Sequence, residues 1–297
     1  MAVKEHLYLV DASIYIFRAY FSLPDTIRDK NDNPCNALYG YTSFLLNLLE
    51  THRPQYIGVA FDESLTSSFR NKLYPAYKAN RELPPDDLAL QMKRCKKVTE
   101  LLGIQHFVSK QFEADDLIGT VASKMRRHFS MIYVTGDKDL CQLIEKGDRL
   151  YDVGKDKIVS HKQVKQHLGV HAHQVVDLLA LMGDAIDNIP GVPGIGNKTA
   201  CTLLEKFGSL ENIYNNIDII ASMELRGASR IASLLESGYE RAQLSKQLAE
   251  ISFKAPVQCN KTILKRSQID RQRVENYFKR LGVGRRLVDR LEKYAGS

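Results

Sequence analysis

Nine carboxylates fall in five groups along the 297-residue chain. They are Asp11; Asp62; Glu113, Asp115 and Asp116 in "EADD"; Asp137 and Asp139 in "GDKD"; and Asp184 and Asp187 in "GDAID". Three acids within four residues repel one another unless a cation compensates. Glu113 and Asp116 share a face of a regular helix and Asp115 does not, so Glu113 is expected to precede the first turn and let all three converge. In "GDKD" the carboxylates stand at i and i+2, on one side of an extended segment. Few histidines and no cysteines are interleaved. An all-oxygen set suits a hard cation, Mg²⁺ or Mn²⁺, rather than zinc. Two such ions ~3.5–4 Å apart can activate a water and stabilise the leaving oxygen in phosphodiester hydrolysis. Taken singly, each aspartate is equally well a helix cap or a turn residue. The grouping argues for a site.

The last pair of acids runs into "GVPGIG" and then a helix-like run, "NKTACTLLEKFG". The loop has one residue too many before Lys198 for a Walker A loop, and no strand leads into it as a dinucleotide fingerprint requires. Backbone N–H groups bared before a helix still make a phosphate cradle. Without a nucleobase pocket, the natural ligand is a nucleic-acid backbone read without sequence preference. Turn chemistry alone would also account for the glycines. Charge supports the polyanion. Lys261 to Ser297 holds eleven Lys/Arg against four Asp/Glu, and "RNKLYPAYKANR" (Arg70 to Arg81) has four cations, two tyrosines and no acid. Any one basic run is as well explained as a solvated face; two beside grouped carboxylates favour a polyanionic partner.

The elements that must position these groups are legible in outline. "LYLVD", "YIGVAFD" and "MIYVTGDKD" read as buried strands, each ending in acid. Such near-continuous apolar runs imply a mainly parallel sheet covered on both faces. Helical patterns alternate with them, predicting an α/β domain over 1–160, with ligands at the carboxyl ends of the strands. From 161 to 297 short helical patterns predict a compact helical region that holds the loop (about 183–207) and ends in the basic tail. Ser64 to Pro85, of mixed polarity, reads as a mobile connection. Composition, with 44% hydrophobic and 26% charged residues, is that of a soluble globular protein. No apolar run approaches ~18 residues, the start lacks a signal-peptide pattern, and five scattered cysteines read as reduced thiols, so a cytoplasmic location is expected.

Taken together, "LVDAS", "VAFD", "SFRNKLYPAYKANR", "FEADDLIGT", "VTGDKDLCQLI" and "MGDAIDNIPGVPGIGNKTA" occur in an order that resembles the 5′ nuclease family. That family includes the 5′–3′ exonuclease domain of bacterial polymerase I, phage 5′ nucleases and flap endonucleases. The resemblance implies a PIN-like α/β fold followed by a helix–three-turn–helix. It implies one metal cluster at Asp11, Asp62, Glu113 and Asp115, and a second at Asp116, Asp137, Asp139, Asp184 and Asp187, with Asp116 between the two. It gives Lys78 and Arg81 a place near the scissile phosphate. DNA contacts fall to Arg18, Arg70, Tyr77, Gly191, Gly194, Gly196 and Lys198, with K⁺ on loop carbonyls. The implied enzyme is a monomeric, metal-dependent 5′–3′ exonuclease or flap endonuclease acting at 5′ ends, flaps or nicks, and on RNA primers. A non-catalytic junction binder is the alternative, but it gains nothing from concentrated negative charge beside phosphates. A small PIN-type ribonuclease would lack the helical region. A phosphatase with Asp11 as nucleophile commonly needs an acid where this chain has Ser13.

Overall fold

The computed structural model describes residues 4–64 and 66–295, so Leu65 and both extreme ends of the chain lie outside it. Six strands form one sheet: β1 (Glu5–Asp11), β2 (Tyr56–Asp62), β3 (Gln105–Ser109), β4 (Phe129–Val134), β5 (Arg149–Asp152) and β6 (Lys157–Ser160). Their order is β3-β2-β1-β4-β5-β6, parallel except for the final β5–β6 pair. Five helices interleave: α1 (Ala12–Ser22), α2 (Asn36–His52), α3 (Phe69–Leu73), α4 (Asp86–Leu101) and α5 (Ala114–Met125). Ten follow: α6 (Val164–Leu168), α7 (Val175–Met182), α8 (Asn197–Phe207), α9 (Leu210–Tyr214), α10 (Ile217–Ala221), α11 (Ala228–Ser237), α12 (Tyr239–Ala249), α13 (Lys261–Leu264), α14 (Arg271–Leu281) and α15 (Arg285–Ala295).

The apolar strand runs conceal a period of two. In β1, Leu7 and Leu9 face a core shared with α5, while Val10 packs into a second core with α1, α2 and α4. Met131 and Tyr133 against Ile132 and Val134 repeat this division in β4. Burial of both faces is why the sequence shows continuous runs instead of alternation. The chain leaves β1 toward β2 on one side and returns to β4 on the other. Their carboxyl ends therefore open a crevice at a switch in strand order.

β3, β5 and β6 carry too few apolar residues to stand out in the sequence. "QHFVS" in β3 pairs with β2 through Gly58 to Asp62 and buries only Phe107. The helix-forming run "ASRIASLLESGYERAQLSKQLAE" is broken at Gly238, where α11 passes into α12.

Two expectations need correction. The basic tail does not extend the helical region: α13 contacts β2, α14 lies on α4, and α15 lies on α2, where Arg290 pairs with Glu50 at 2.6 Å. Val274 and Phe278 of α14 complete the α2/α4 core, so apolar burial draws this segment back across the molecule. Nor is the connection after Asp62 loose. It contains α3, capped by Ser68, and buries Arg70 and Tyr77. The helical region also shares one continuous core with the α5 face of the sheet, so no gap in packing separates the parts at 160.

Candidate active site

The crevice is a cavity of about 890 Å³ lined by Asp11, Asp62, Glu113, Asp115, Asp137 and Asp187, with Lys78 and Arg81 among them. Asp11 ends β1 and caps α1: the Ser13 amide donates to it at 3.1 Å and the Thr135 hydroxyl at 3.2 Å. Asp62 ends β2 and accepts from the amide and hydroxyl of Ser64, both at 2.9 Å. Glu113 is the cap residue of α5, ahead of the first turn as its spacing predicted, and lines the cavity with Asp115; Asp116 does not converge with them. Asp137 follows β4 and accepts from the Asp139 amide at 2.9 Å.

A tight loop folds Asp187 back into the crevice and sets Asp184 in an adjoining cavity with Asp137 and Asp139. The amide of Asp184 donates to the Ile189 carbonyl at 2.9 Å, and the Ile189 amide returns to Asp184 at 2.8 Å. Three bonds dock this loop on the basic segment. The Lys78 amide donates to the Asp187 carbonyl (3.0 Å), Asn80 Nδ2 to the Ala185 carbonyl (2.9 Å), and Asn188 Nδ2 to the Ala76 carbonyl (2.6 Å). Lys78 takes a left-handed backbone, φ 55°, which is uncommon without glycine and places its side chain inward. Its Nζ lies 3.0 Å from Glu113 and 3.6 Å from Asp187; Arg81 also pairs with Asp187.

Electrostatics identifies the carboxylates as one group. Burial, then the charges of Asp137 and Asp62, push the Asp11 carboxyl up to about 7. Asp115 and Asp139 are raised well above the ordinary range by burial, then by Asp137 and further neighbouring acids; Asp62 and Asp137 are raised too. Glu113 is the exception. Lys78 and Arg70 outweigh its burial and lower it. Among the described residues no three of these acids close around a single point. Their repulsion spreads them over the cavity wall. The donor set nevertheless fits a hard divalent cation: it is all oxygen, its like charges would be relieved by a cation, and among the described residues no hydrogen bond reaches the Asp115 or Asp139 carboxyls.

Asp116, Arg70 and Tyr77 do not occupy the places expected of them. Both Asp116 oxygens are taken, by Arg70 Nη1 (2.8 Å) and Nη2 (2.9 Å) and by the amides of Glu113 (3.0 Å) and Ser252 (2.8 Å). It is a buried counter-ion rather than a metal ligand. Arg70 further donates to the carbonyls of Leu248 and Glu250, both at 2.7 Å, and is 2% exposed, so it cannot touch DNA. Tyr77 is 3% exposed, and its hydroxyl donates to Glu113 at 3.0 Å, leaving no face for a base to stack on. Sequence alone could not separate these residues from the surface cations and aromatics around them. Thr135, Ser13 and Ser64, which hold the acids, carried no signal either.

Gly191 is also internal. Its φ is +57°, a Cβ there would stand 2.4 Å from the Gly183 nitrogen, and its amide donates to Ser245 Oγ at 2.9 Å. The exposed part of the loop is Gly194, Gly196 and Lys198, where Gly196 caps α8 with open space around it. Arg18 is exposed on α1, its guanidinium lying against Gly154.

Comparison with known proteins agrees with this architecture. Residues 6–169 match the family model of the 5′–3′ exonuclease N-terminal resolvase-like domain, and residues 170–272 match its C-terminal SAM fold. A 5′–3′ exonuclease of Buchnera aphidicola subsp. Schizaphis graminum is 37% identical over 256 residues, 86% of this chain and 88% of that one. DNA polymerase I of Lactococcus lactis is 36% identical over 91% of this chain, which spans 31% of that larger protein. The fold is shared with a bacteriophage T5 flap endonuclease complexed with DNA and metal ions, at TM-score 0.67 and 18% identity, covering 99% and 100% of the two chains. With both family models matched in succession, this chain belongs to the 5′–3′ exonuclease family.

Proposed function

We propose that this 5′–3′ exonuclease cleaves DNA phosphodiesters at 5′ ends, flaps and nicks, RNA primers included, as a cytoplasmic monomer that requires Mg²⁺ or Mn²⁺. The carrying observation is the convergence of Asp11, Asp62, Glu113, Asp115, Asp137 and Asp187 on one cavity beside Lys78 and Arg81. Asp139 and Asp184 belong to the same charged group. These acids would hold the ions, which when bound activate water and stabilise the departing oxygen. Residues 1–160 together with Asp187 supply the cavity, while Gly194, Gly196 and Lys198 of the helical region hold duplex backbone, with K⁺ on the loop carbonyls. Arg18 extends the basic rim. Cleavage of a 5′-labelled flap, a nicked duplex and a blunt duplex, with Mg²⁺ or EDTA, tests the reading. Metal-independent cleavage, or none on any substrate, overturns it.

Lys78 and Arg81 hold positive charge where negative charge grows on the scissile phosphate, so their effect is greatest in the transition state. Lys78→Ala and Arg81→Ala are expected to lower kcat and kcat/KM together, with little change in KM. Single-turnover cleavage with enzyme in excess measures this. An unchanged saturated rate would leave them only steering encounter.

Duplex binding through amides and Lys/Arg is expected to be non-specific. If about four phosphates are neutralised, log Kd should change with log salt at a slope near 3 to 4 in magnitude. Lys198→Ala should reduce that slope by about 1 and weaken unrelated sequences alike. Fluorescence anisotropy across a salt series reads both.

A further inference from the structure

A second basic site lies at the other end of the sheet from the carboxylates. Lys30, Lys97, Arg273, Lys279, Arg280 and Tyr277 line a cavity of about 620 Å³ that has no acid in its wall. α4 starts two residues after Pro84 of the acidic crevice and runs to Lys97 of the second cavity. At ~1.5 Å per residue the two sites are separated by about 15 Å along that helix alone.

Three segments build the cavity, and the backbone fixes their register. The Lys30 amide donates to the Leu281 carbonyl at 2.8 Å, and Gly282 lies against the Lys30 side chain, joining the loop before α2 to the end of α14. The neighbouring acids are committed elsewhere. Asp29 accepts from Arg94 at 2.6 Å and from Asn31 and Asn33, and Asp270 caps α14; Glu100 alone answers a cation of the wall, pairing with Lys97 at 2.7 Å. Among the described residues Lys30, Arg273, Lys279 and Arg280 have no ion pair. Like charges brought to one concave wall raise the energy unless an anion answers them.

We propose that this cavity binds an oligophosphate, two or more adjacent phosphate groups carried by inorganic polyphosphate or by a nucleoside di- or triphosphate. Several cations around one small concavity match a compact multiple anion better than a duplex, which calls for a stripe of contacts. The arginine forks suit phosphate oxygens, and the half-buried Tyr277 ring offers a wall for a base. A ligand held by Lys30 and Lys97 on one side and by α14 on the other also fastens the carboxyl-terminal helices to the α/β layer.

Calorimetry of the full chain with tripolyphosphate, ATP and AMP in EDTA tests this, because chelation then removes metal from the acidic crevice. Tripolyphosphate and ATP are expected to bind and to raise the melting temperature, while AMP binds far more weakly. Tighter binding of ATP than of tripolyphosphate would identify a nucleotide as the source; equal binding would identify the phosphate chain alone. The exposed pair R273A/K279A, and K30A separately, should weaken binding by about 10-fold or more, with circular dichroism unchanged. Lys78→Ala should leave it unaltered. Undiminished binding in both basic-site variants, loss of binding in Lys78→Ala, or equal displacement by duplex DNA at the same phosphate concentration would each overturn the proposal.

Discussion

Asp115→Asn or Asp137→Asn is expected to lower cleavage by at least about 10²-fold while making the metal-free protein more stable. The two effects share one cause. Each carboxylate is held where burial and facing acids disfavour its charge, which serves to bind a cation and otherwise strains the fold. The pH dependence follows. Asp11 has an ordinary value of 3.8 and stands at about 7 in the folded protein. Between those limits the folded state keeps a proton that the unfolded chain has released, so stability in EDTA falls as pH rises through that window. The asparagine variants should therefore gain more over the parent at pH 8 than at pH 5. Because the carboxyls must ionise to hold a metal, Mg²⁺ binding should strengthen with pH and release protons. Melting curves in EDTA and calorimetry in two buffers measure these effects. Asparagine variants that are less stable than the parent, yet fully active at limiting Mg²⁺, would refute the metal-site reading.

Arg70→Met is expected to destabilise the protein by about 3–5 kcal/mol, among the largest effects available to one substitution here. The guanidinium joins α3 to Asp116 of α5 and to the carbonyls of Leu248, in the last turn of α12, and Glu250 just beyond it. Its removal leaves a buried carboxylate without its cation and two carbonyls without donors. Adding Asp116→Asn should recover only part of the loss, since the carbonyls remain unanswered. Urea denaturation gives the free energies. Were Arg70 instead a DNA contact, the variant would keep its stability and lose duplex affinity. The pair also anchors the segment carrying Lys78, so stability and turnover should fall together.

The acids, their grouping and the scaffold beneath them can be read from residue order alone. Strands β1, β2 and β4 are doubly buried, so their apolar runs are unmistakable, and acid at their ends marks the carboxyl edge of the sheet. Glu113 could be placed ahead of α5 because charge repulsion and helical spacing constrain it locally. Strands β3, β5 and β6 escaped notice because their places depend on neighbours rather than on their own composition. What each charge does depends on the partners that folding brings to it. Arg70 and Arg81 belong to one basic run, yet one is sealed against Asp116 and the other is partly exposed beside Asp187. Asp115 and Asp116 are adjacent, but one faces the cavity while the other meets a buried guanidinium. Likewise Gly191 turns inward onto Gly183, whereas Gly194 and Gly196 remain open. A residue's type fixes its charge and donors, but its partners come from segments 180 or even 240 positions away, as Arg70 with Glu250 and Arg290 with Glu50 show. Those distant partners decide whether a charge is spent inside the fold or left for a ligand.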